Sequence, residues 1–392
     1  MAKKALMKIL FFATYFYPYL SGLTTYPAKV FSFLAEKHQV TVLTFKHQQK
    51  LKLQEIWQGL QIKRMKFWFK LSKGFISPQS WWCFWQELQQ TQVVFLNIPN
   101  AEGLPLALLA KLLGKKVISI FHCQVFLGSG LGQRLIAALL NLSVFGQLFL
   151  SDQIIIYTQD YFHSLLVGRW FKRKAQVVLP PVAKLAVARS FAQQLKKQKG
   201  QQIWIGFAGR VAREKGLEYL GRAVAKLQQD LKFNQTIKLV VAGPFGQDVV
   251  GEADYYQRIK ELLKQMQVEH QFLGSLHGAQ LGAFYQAIDL LVLPSINQTE
   301  AFGMVQVEAM LAGKPVVASD LPGVRQPVKL TGMGLVVKPK EAVDLAKAIA
   351  KVLRQPQKFV NQQTKTKVKK LFSLKKTYRF YQQLLQKLAT AS

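Results

Sequence analysis

The sequence predicts an α/β protein made of two Rossmann-like domains, each a parallel sheet covered by helices, facing one another across a cleft. Three observations carry this. Apolar, β-rich runs alternate with helix-period segments almost throughout. The runs are apolar along their whole length rather than at alternate residues, as strands buried on both faces must be. The 392-residue length exceeds what one core commonly serves, and half the residues are apolar.

In the first half KILFFA, QVTVLTF, QVVFLNI, KVISIFH and DQIIIYT read as strands, with helical segments between most of them. The opening MAKKALMKILFFATYF has the charged-then-apolar order of a signal peptide, but no small-residue cleavage site follows, so it is read as the first strand. The longest apolar stretch, residues 135–158, is interrupted by Asn141, Gln147 and Asp152 and turns β-branched in its second half. A helix followed by a buried strand accounts for it better than a membrane span. The polar, basic QQLKKQKGQQ, residues 193–202, reads as a linker, which places the domains at 1–195 and 200–372. Beyond it IWIGFAG, IKLVVAG, IDLLVLP and KPVVAS repeat the strand plan.

The formal charge of +33 is uneven. Residues 1–195 hold 23 Lys and Arg against 6 acids, whereas residues 201–354 are close to balanced at 18 against 14. No nucleic-acid reading module accompanies the charge, so no nucleic-acid partner is expected; a solvated basic surface or an anionic partner of the first half remain the two readings. Five tryptophans, Trp57, Trp68, Trp81, Trp82 and Trp85, crowd one stretch beside Lys63, Arg64, Lys66, Lys70 and Lys73. That mixture suits either the first domain's core and acceptor groove or an anionic membrane interface. The two cysteines, Cys83 and Cys123, have no zinc or disulfide spacing, which fits a reducing compartment and hence a cytoplasmic location.

In open parallel sheets ligands bind beyond the carboxyl ends of the strands, so residues just after strands are the site candidates. FAGRVAREKG follows the first strand of the second domain; Arg210 and Lys215 beside a helix start suit a diphosphate, or serve as ordinary surface charges. After IDLLVLPS, Glu300 precedes a helix and Glu308 lies within it, roughly 12 Å farther along if the segment were fully helical. Gly303 leaves the amides of Gly303, Met304 and Val305 open to an anion. Two carboxylates flanking an anion site suit the hydroxyls of a nucleotide-diphosphate sugar; the alternative is a helix-dipole partner and a lysine-paired glutamate. In the first domain, Gly22 at a strand–helix turn lets backbone approach a phosphate, and His122 just past a strand end is either a sugar ligand and proton carrier or a structural histidine.

Taken in order, these segments resemble the retaining family 4 glycosyltransferases of the GT-B fold over nearly the whole chain. PYLSGLTTYPAKVFSFLAEK is similar to the family's glycine-loop opening, VISIFH to its histidine-bearing strand, and GFAGRVAREKGLEYLGRAV to its Arg/Lys clamp. EAFGMVQVEAMLAGKPVVASDLPG resembles the E-x7-E signature, and FSLKKTYRFYQQLL the helix that returns to the first domain, here residues 373–392. The resemblance implies that Arg210 and Lys215 bind the donor diphosphate, Glu300 the transferring sugar and Glu308 the ribose. It also implies that Phe302, Gly303, Met304 and Val305 line the sugar and phosphate site, that His122 binds the sugar, and that Gly22 abuts the phosphates. Departures are Ser21-Gly22 where a glycine pair is frequent, LPPVAK where Asn-Gly-Val often follows Pro, and Gln326 for a common glutamate.

The implied reaction moves a sugar from a UDP- or GDP-sugar, with retention, to a lipid, lipid-linked or glycan acceptor in cell-envelope synthesis. No pair of close carboxylates suited to double displacement is evident, so front-face substitution is expected. No Asp-x-Asp motif occurs, so no metal and no cofactor beyond the NDP-sugar co-substrate is expected. The protein is placed in the cytoplasm or peripherally on the inner face of the cell membrane. Competing readings are an ADP-glucose-dependent glucan synthase, a nucleotide-sugar epimerase, or a basic nucleic-acid binder.

Overall fold

The computed structural model describes residues 6–19, 21–71, 74–125, 130–230, 236–249 and 251–390; Lys73 and the first five residues of the expected opening strand lie outside them. The chain divides into two compact units, residues 1–181 with 374–392, and residues 182–373.

In the first unit the described strands are β1 (Lys8–Phe12), β2 (Gln39–Phe45), β3 (Gln54–Trp57), β4 (Leu60–Met65), the hairpin β5 (Phe69–Leu71) and β6 (Gly74–Ile76), β7 (Val93–Ile98), β8 (Lys116–Phe121), β9 (Gln153–Ile156) and β10 (Ala175–Val177). Apart from the hairpin they form one sheet in the order β10-β9-β8-β7-β1-β2-β4-β3, parallel except for β3 against β4. Ile9 to Phe12 of β1 and all of β7 are buried, as strands covered on both faces must be. Helices α1 (Gly22–Ala35), α2 (Ser80–Gln90), α3 (Gly103–Leu112), α4 (Leu131–Leu150), α5 (Gln159–Ser164) and α6 (Leu166–Phe171) connect them.

Right-handed crossovers assign the helices to faces. The connection through α1 runs from β1 toward the β4 side, and those through α2, α3 and α4 run the other way, so α1 covers one face and α2–α4 the other. The C-terminal helix, Leu374–Thr390, packs beside α1. There the buried Tyr26 and Tyr381 hydroxyls meet at 2.7 Å, and Phe33 stacks on Tyr378 at 4.0 Å between centroids.

β4 was not foreseen, and it changes the reading of Arg64. Its LQIKRM carries two cations, yet it sits inside the sheet beside β2. Arg64 is buried, its guanidinium donating to Lys52 O at 2.9 Å and Tyr17 O at 2.7 Å and pairing with Glu55 at 2.5 Å. It is a folding residue, not part of an exposed basic patch. Of the crowded tryptophans, Trp57 stacks on Tyr17 at 4.3 Å, while Trp68, Trp81, Trp82 and Trp85 are exposed.

The second unit holds β11 (Ile203–Ala208), β12 (Ile237–Ala242), β13 (Glu269–Phe272), β14 (Leu290–Leu293), β15 (Val316–Ser319) and β16 (Gly334–Val337), all parallel in the order β13-β12-β11-β14-β15-β16. Its helices include α7 (Arg189–Lys199), α8 (Leu217–Asp230), α9 (Ala253–Gln265), α10 (Gly278–Ala287) and α11 (Met304–Leu311). The core lies between sheet and helices, from Ile205 and Phe207 on β11 to Leu220 and Val224 on α8 and Ile349 on the helix Ala342–Arg354.

The expected linker is largely helical. Residues 193–199 belong to α7, which packs on α10, buries Leu195, and is tied by Lys199 Nζ to Ala287 O at 2.8 Å and Asp289 at 2.7 Å. Lys and Gln are good helix formers, so a polar run without Pro continues a helix when one residue per turn finds a core. The division falls instead at Pro181/Val182, so residues 182–195 belong to the second unit rather than the first.

Candidate functional site

Strand order reverses between β11 and β14 in the second unit, since β12 and β13 lie to one side of β11 and β14 to β16 to the other. Loops leaving neighbouring strands in opposite directions open a crevice at their carboxyl ends. The segments after these two strands carry Arg210, Lys215 and Glu300.

Two glycines set the local geometry. Gly216 has φ +65°, and a Cβ there would lie 2.4 Å from Pro294 O, so the turn after Lys215 presses directly on the end of β14. The Ile296 amide also donates to Glu214 O at 3.0 Å. Gly303 has φ +75° and caps α11; a Cβ would lie 2.4 Å from Leu293 Cδ2. The first amides of a helix have no intrahelical acceptor, and the helix dipole adds to their preference for an anion.

Lys215 Nζ donates to Glu300, both side chains being about one-sixth exposed. Arg210 pairs with Glu214 at 2.8 Å and is half exposed. Glu308, one turn into α11, accepts from the Tyr285 hydroxyl at 2.8 Å. Burial, reinforced by the neighbouring carboxylate, holds the Tyr285 phenol well above its ordinary range, so it stays a donor. Phe302 turns into the core, 6.0 Å from Phe372 between centroids, so it shapes the loop from behind; Gly303, Met304 and Val305 follow at the helix start. Gln306 is wholly buried and straps this turn, its amide donating to Phe302 O at 3.0 Å and Val324 O at 2.9 Å.

Residues 189–370 match the family model described as Glycosyl transferases group 1. The second unit is of the group 1 glycosyl transferase type. An uncharacterized glycosyltransferase of Methanocaldococcus jannaschii is 36% identical over 166 residues, 42% of this chain and 39% of that protein. The chain thus spans about two fifths of the length of that curated relative. Among solved structures, sucrose-phosphate synthase from Thermosynechococcus elongatus superposes with a TM-score of 0.76 at 20% identity, over 98% of this chain and 100% of that one. Anabaena HepE in complex with UDP gives 0.76 at 18% identity, over 97% and 100%. The fold is GT-B.

Within the group 1 domain, sequence reasoning brought Arg210, Lys215, Glu300 and Gly303 to the ends of two neighbouring strands, where the structure has them. It missed Tyr285, Glu214 and Gln306. Nothing in FYQAIDLLVLP marks Tyr285 as the partner of Glu308, because the pair spans 23 residues and forms only when α10 and α11 pack on one sheet.

In the first unit Gly22 opens α1 behind the cap residue Ser21, whose capping box with Thr24 fixes the turn. His122 departs from expectation. It is buried, its Nε2 lies 2.5 Å from Asn97 Oδ1, and its Nδ1 meets the Tyr157 hydroxyl. Asn97 Nδ2 donates to Leu23 O at 3.1 Å, which fixes its Oδ1 as the acceptor for Nε2–H and leaves Nδ1 to accept from Tyr157. Burial pushes the imidazole down to about 3, so the ring is neutral. With both nitrogens engaged, His122 cross-links the carboxyl ends of β7, β8 and β9 instead of presenting a nitrogen to a sugar.

Proposed function

We propose that the chain is a retaining hexosyltransferase. It transfers a sugar from a nucleoside-diphosphate sugar, UDP- or GDP-linked, to a lipid, lipid-linked or glycan acceptor in cell-envelope glycolipid or polysaccharide synthesis, working at the cytoplasmic face of the membrane. The observation that carries this is the pairing of Lys215 with Glu300 at the switch point, beside a helix N-terminus that Gly303 opens. A cation, a carboxylate and free amides meet there, which matches a leaving diphosphate flanked by sugar hydroxyls.

In this reading Arg210, Lys215 and the amides of Gly303 to Val305 hold the diphosphate. Glu300 accepts from the transferring sugar. Glu308, oriented by Tyr285, accepts from the ribose. The C1–O bond to the diphosphate breaks and the acceptor oxygen bonds to C1 on the same face, its proton passing to the departing phosphate oxygen. The cations and amides stabilise the negative charge that grows on that oxygen. His122 is a positioning residue for the first unit's strand ends. The reaction so written needs no divalent ion, in keeping with the lack of an Asp-x-Asp motif. Uracil as the donor's base is favoured by the UDP complex of a protein that shares the fold.

A donor screen tests this, measuring nucleoside-diphosphate release from UDP-, GDP- and ADP-hexoses with and without a membrane lipid extract. Release should appear with a UDP- or GDP-hexose, rise with lipid, and persist in EDTA. Polymer formation from ADP-glucose, free sugar epimerisation, or a magnesium-reversible loss on chelation would each overturn the corresponding part.

A further inference from the structure

Helix α4 is inside out. Its buried residues are Ser143, Val144, Gln147 and Leu148. The polar pair is moored: Ser143 Oγ donates to Ala101 O at 2.7 Å and Gln147 Nε2 to Asn100 O at 2.9 Å. On the other side Leu131, Leu135, Leu139 and Leu142 are 86%, 63%, 58% and 67% exposed. Their spacing makes one continuous stripe, roughly 17 Å long at the helical rise. A helix facing water places leucine inward and glutamine outward, so this stripe faces something else.

The stripe has neighbours. α6 packs against α4, with Trp170 beside Phe145 at 6.3 Å between centroids, and Trp170 is itself 75% exposed. α3 packs between α4 and α2, on the sheet face that the crossovers share, and α2 carries the exposed Trp81, Trp82 and Trp85. Charge identifies the occupant. From Gly103 to Phe171 the only acids are Asp152 and Asp160, and Asp152 is paired with Lys111 at 3.0 Å. Arg134 is exposed on α4, and Arg169, Lys172 and Arg173 are exposed around Trp170. Leucines and tryptophan rimmed by cations fit the boundary between anionic headgroups and acyl chains. A second copy would bring the same positive rim against itself.

We infer that α4 and α6 form a membrane-docking face, with α4 lying in the plane of an anionic bilayer. α4 is also long and apolar enough to cross a membrane, but a crossing would strip Ser143 and Gln147 from their carbonyl partners, whereas an in-plane helix keeps them. The inference rests on the proposed lipid acceptor for its purpose only; its test needs no turnover.

The test is sedimentation of the full chain with phosphatidylcholine vesicles containing increasing phosphatidylglycerol. Partition should rise with phosphatidylglycerol and fall with salt. Replacing Leu135, Leu139 and Leu142 by Gln should lower it at least tenfold. Replacing Arg169, Lys172 and Arg173 by Gln should lower it on the order of 100-fold at low salt. All these positions are exposed, and UDP binding with far-ultraviolet circular dichroism reports that both variants stay folded. Vesicle binding without UDP binding would leave the docking face standing while the donor reading fails. Unchanged partition of the leucine variant, equal binding to pure phosphatidylcholine, or a stable dimer that ignores vesicles would each overturn the inference.

Discussion

At Lys215 a cation is held ready by a carboxylate that, in the proposed reaction, belongs to the sugar. Glu300 holds the ammonium at the end of the strand. Lys215→Ala should therefore slow turnover at saturating donor, on the order of 100-fold, as loss of one charge-stabilising donor commonly does. Arg210→Ala, at a more exposed position, should do the same in milder degree; steady-state rates at saturating donor decide, and near wild-type turnover in both variants would remove them from the site. His122 makes a prediction of another kind. Its folded pKa of about 3 lies below the ordinary 6.5, so the unfolded chain binds the proton that the native state refuses. The stability this contributes is complete above pH 6.5 and is lost as the pH falls toward 3, at up to about 1.4 kcal/mol per pH unit. Denaturant midpoints measured at pH 7, 5 and 4 should fall accordingly, and His122→Gln should flatten that fall while lowering stability at pH 7.

At the scale of elements, two contacts decide geometry that propensity leaves open. Gly216 presses the Lys215 turn against Pro294. Gly216→Val adds both a strained backbone at φ +65° and a clash with a carbonyl oxygen, so the loop must move. Thermal unfolding should show a loss of about 2 kcal/mol or more, and donor affinity should fall with it; an unchanged melting temperature would show that the turn relaxes freely. The C-terminal helix is joined to α1 by the buried Tyr26–Tyr381 pair. Tyr381→Phe strands the Tyr26 hydroxyl away from water and should cost about 1–3 kcal/mol, whereas the double Phe variant should recover much of that. Denaturant unfolding of the two variants measures the difference, and equal losses in both would mean that the hydroxyls have other partners.

For the molecule as a whole, charge is the dominant imbalance. With 53 Lys and Arg against 20 acids, like-charge repulsion outweighs the ion pairs, and several of those pairs are exposed and worth little. Screening shortens from about 30 Å at 10 mM salt to about 8 Å at 150 mM. The melting temperature should therefore rise over that range, by a few degrees; a fall would mean that the ion pairs matter more than the repulsion. The same imbalance supplies the charge complementarity on which the inferred membrane docking rests.

What the sequence determined by itself was the periodic part. Nine apolar runs announced nine strands, since a strand buried on both faces has no polar residue to hide, and glycine and glutamate placed after those strands marked the crevice. β4 escaped because its polar residues are satisfied by partners distant in the chain, as Arg64 is by Tyr17 and Lys52. Residues 193–199 of α7 read as a linker in the sequence because a helix with one buried leucine looks like surface until α10 is laid against it. Only tertiary structure could show that His122 is sealed between Asn97 and Tyr157, that Tyr285 orients Glu308, and that α4 turns its leucines outward. Each depends on which groups meet across the fold, and burial is a property of the neighbours as much as of the residue.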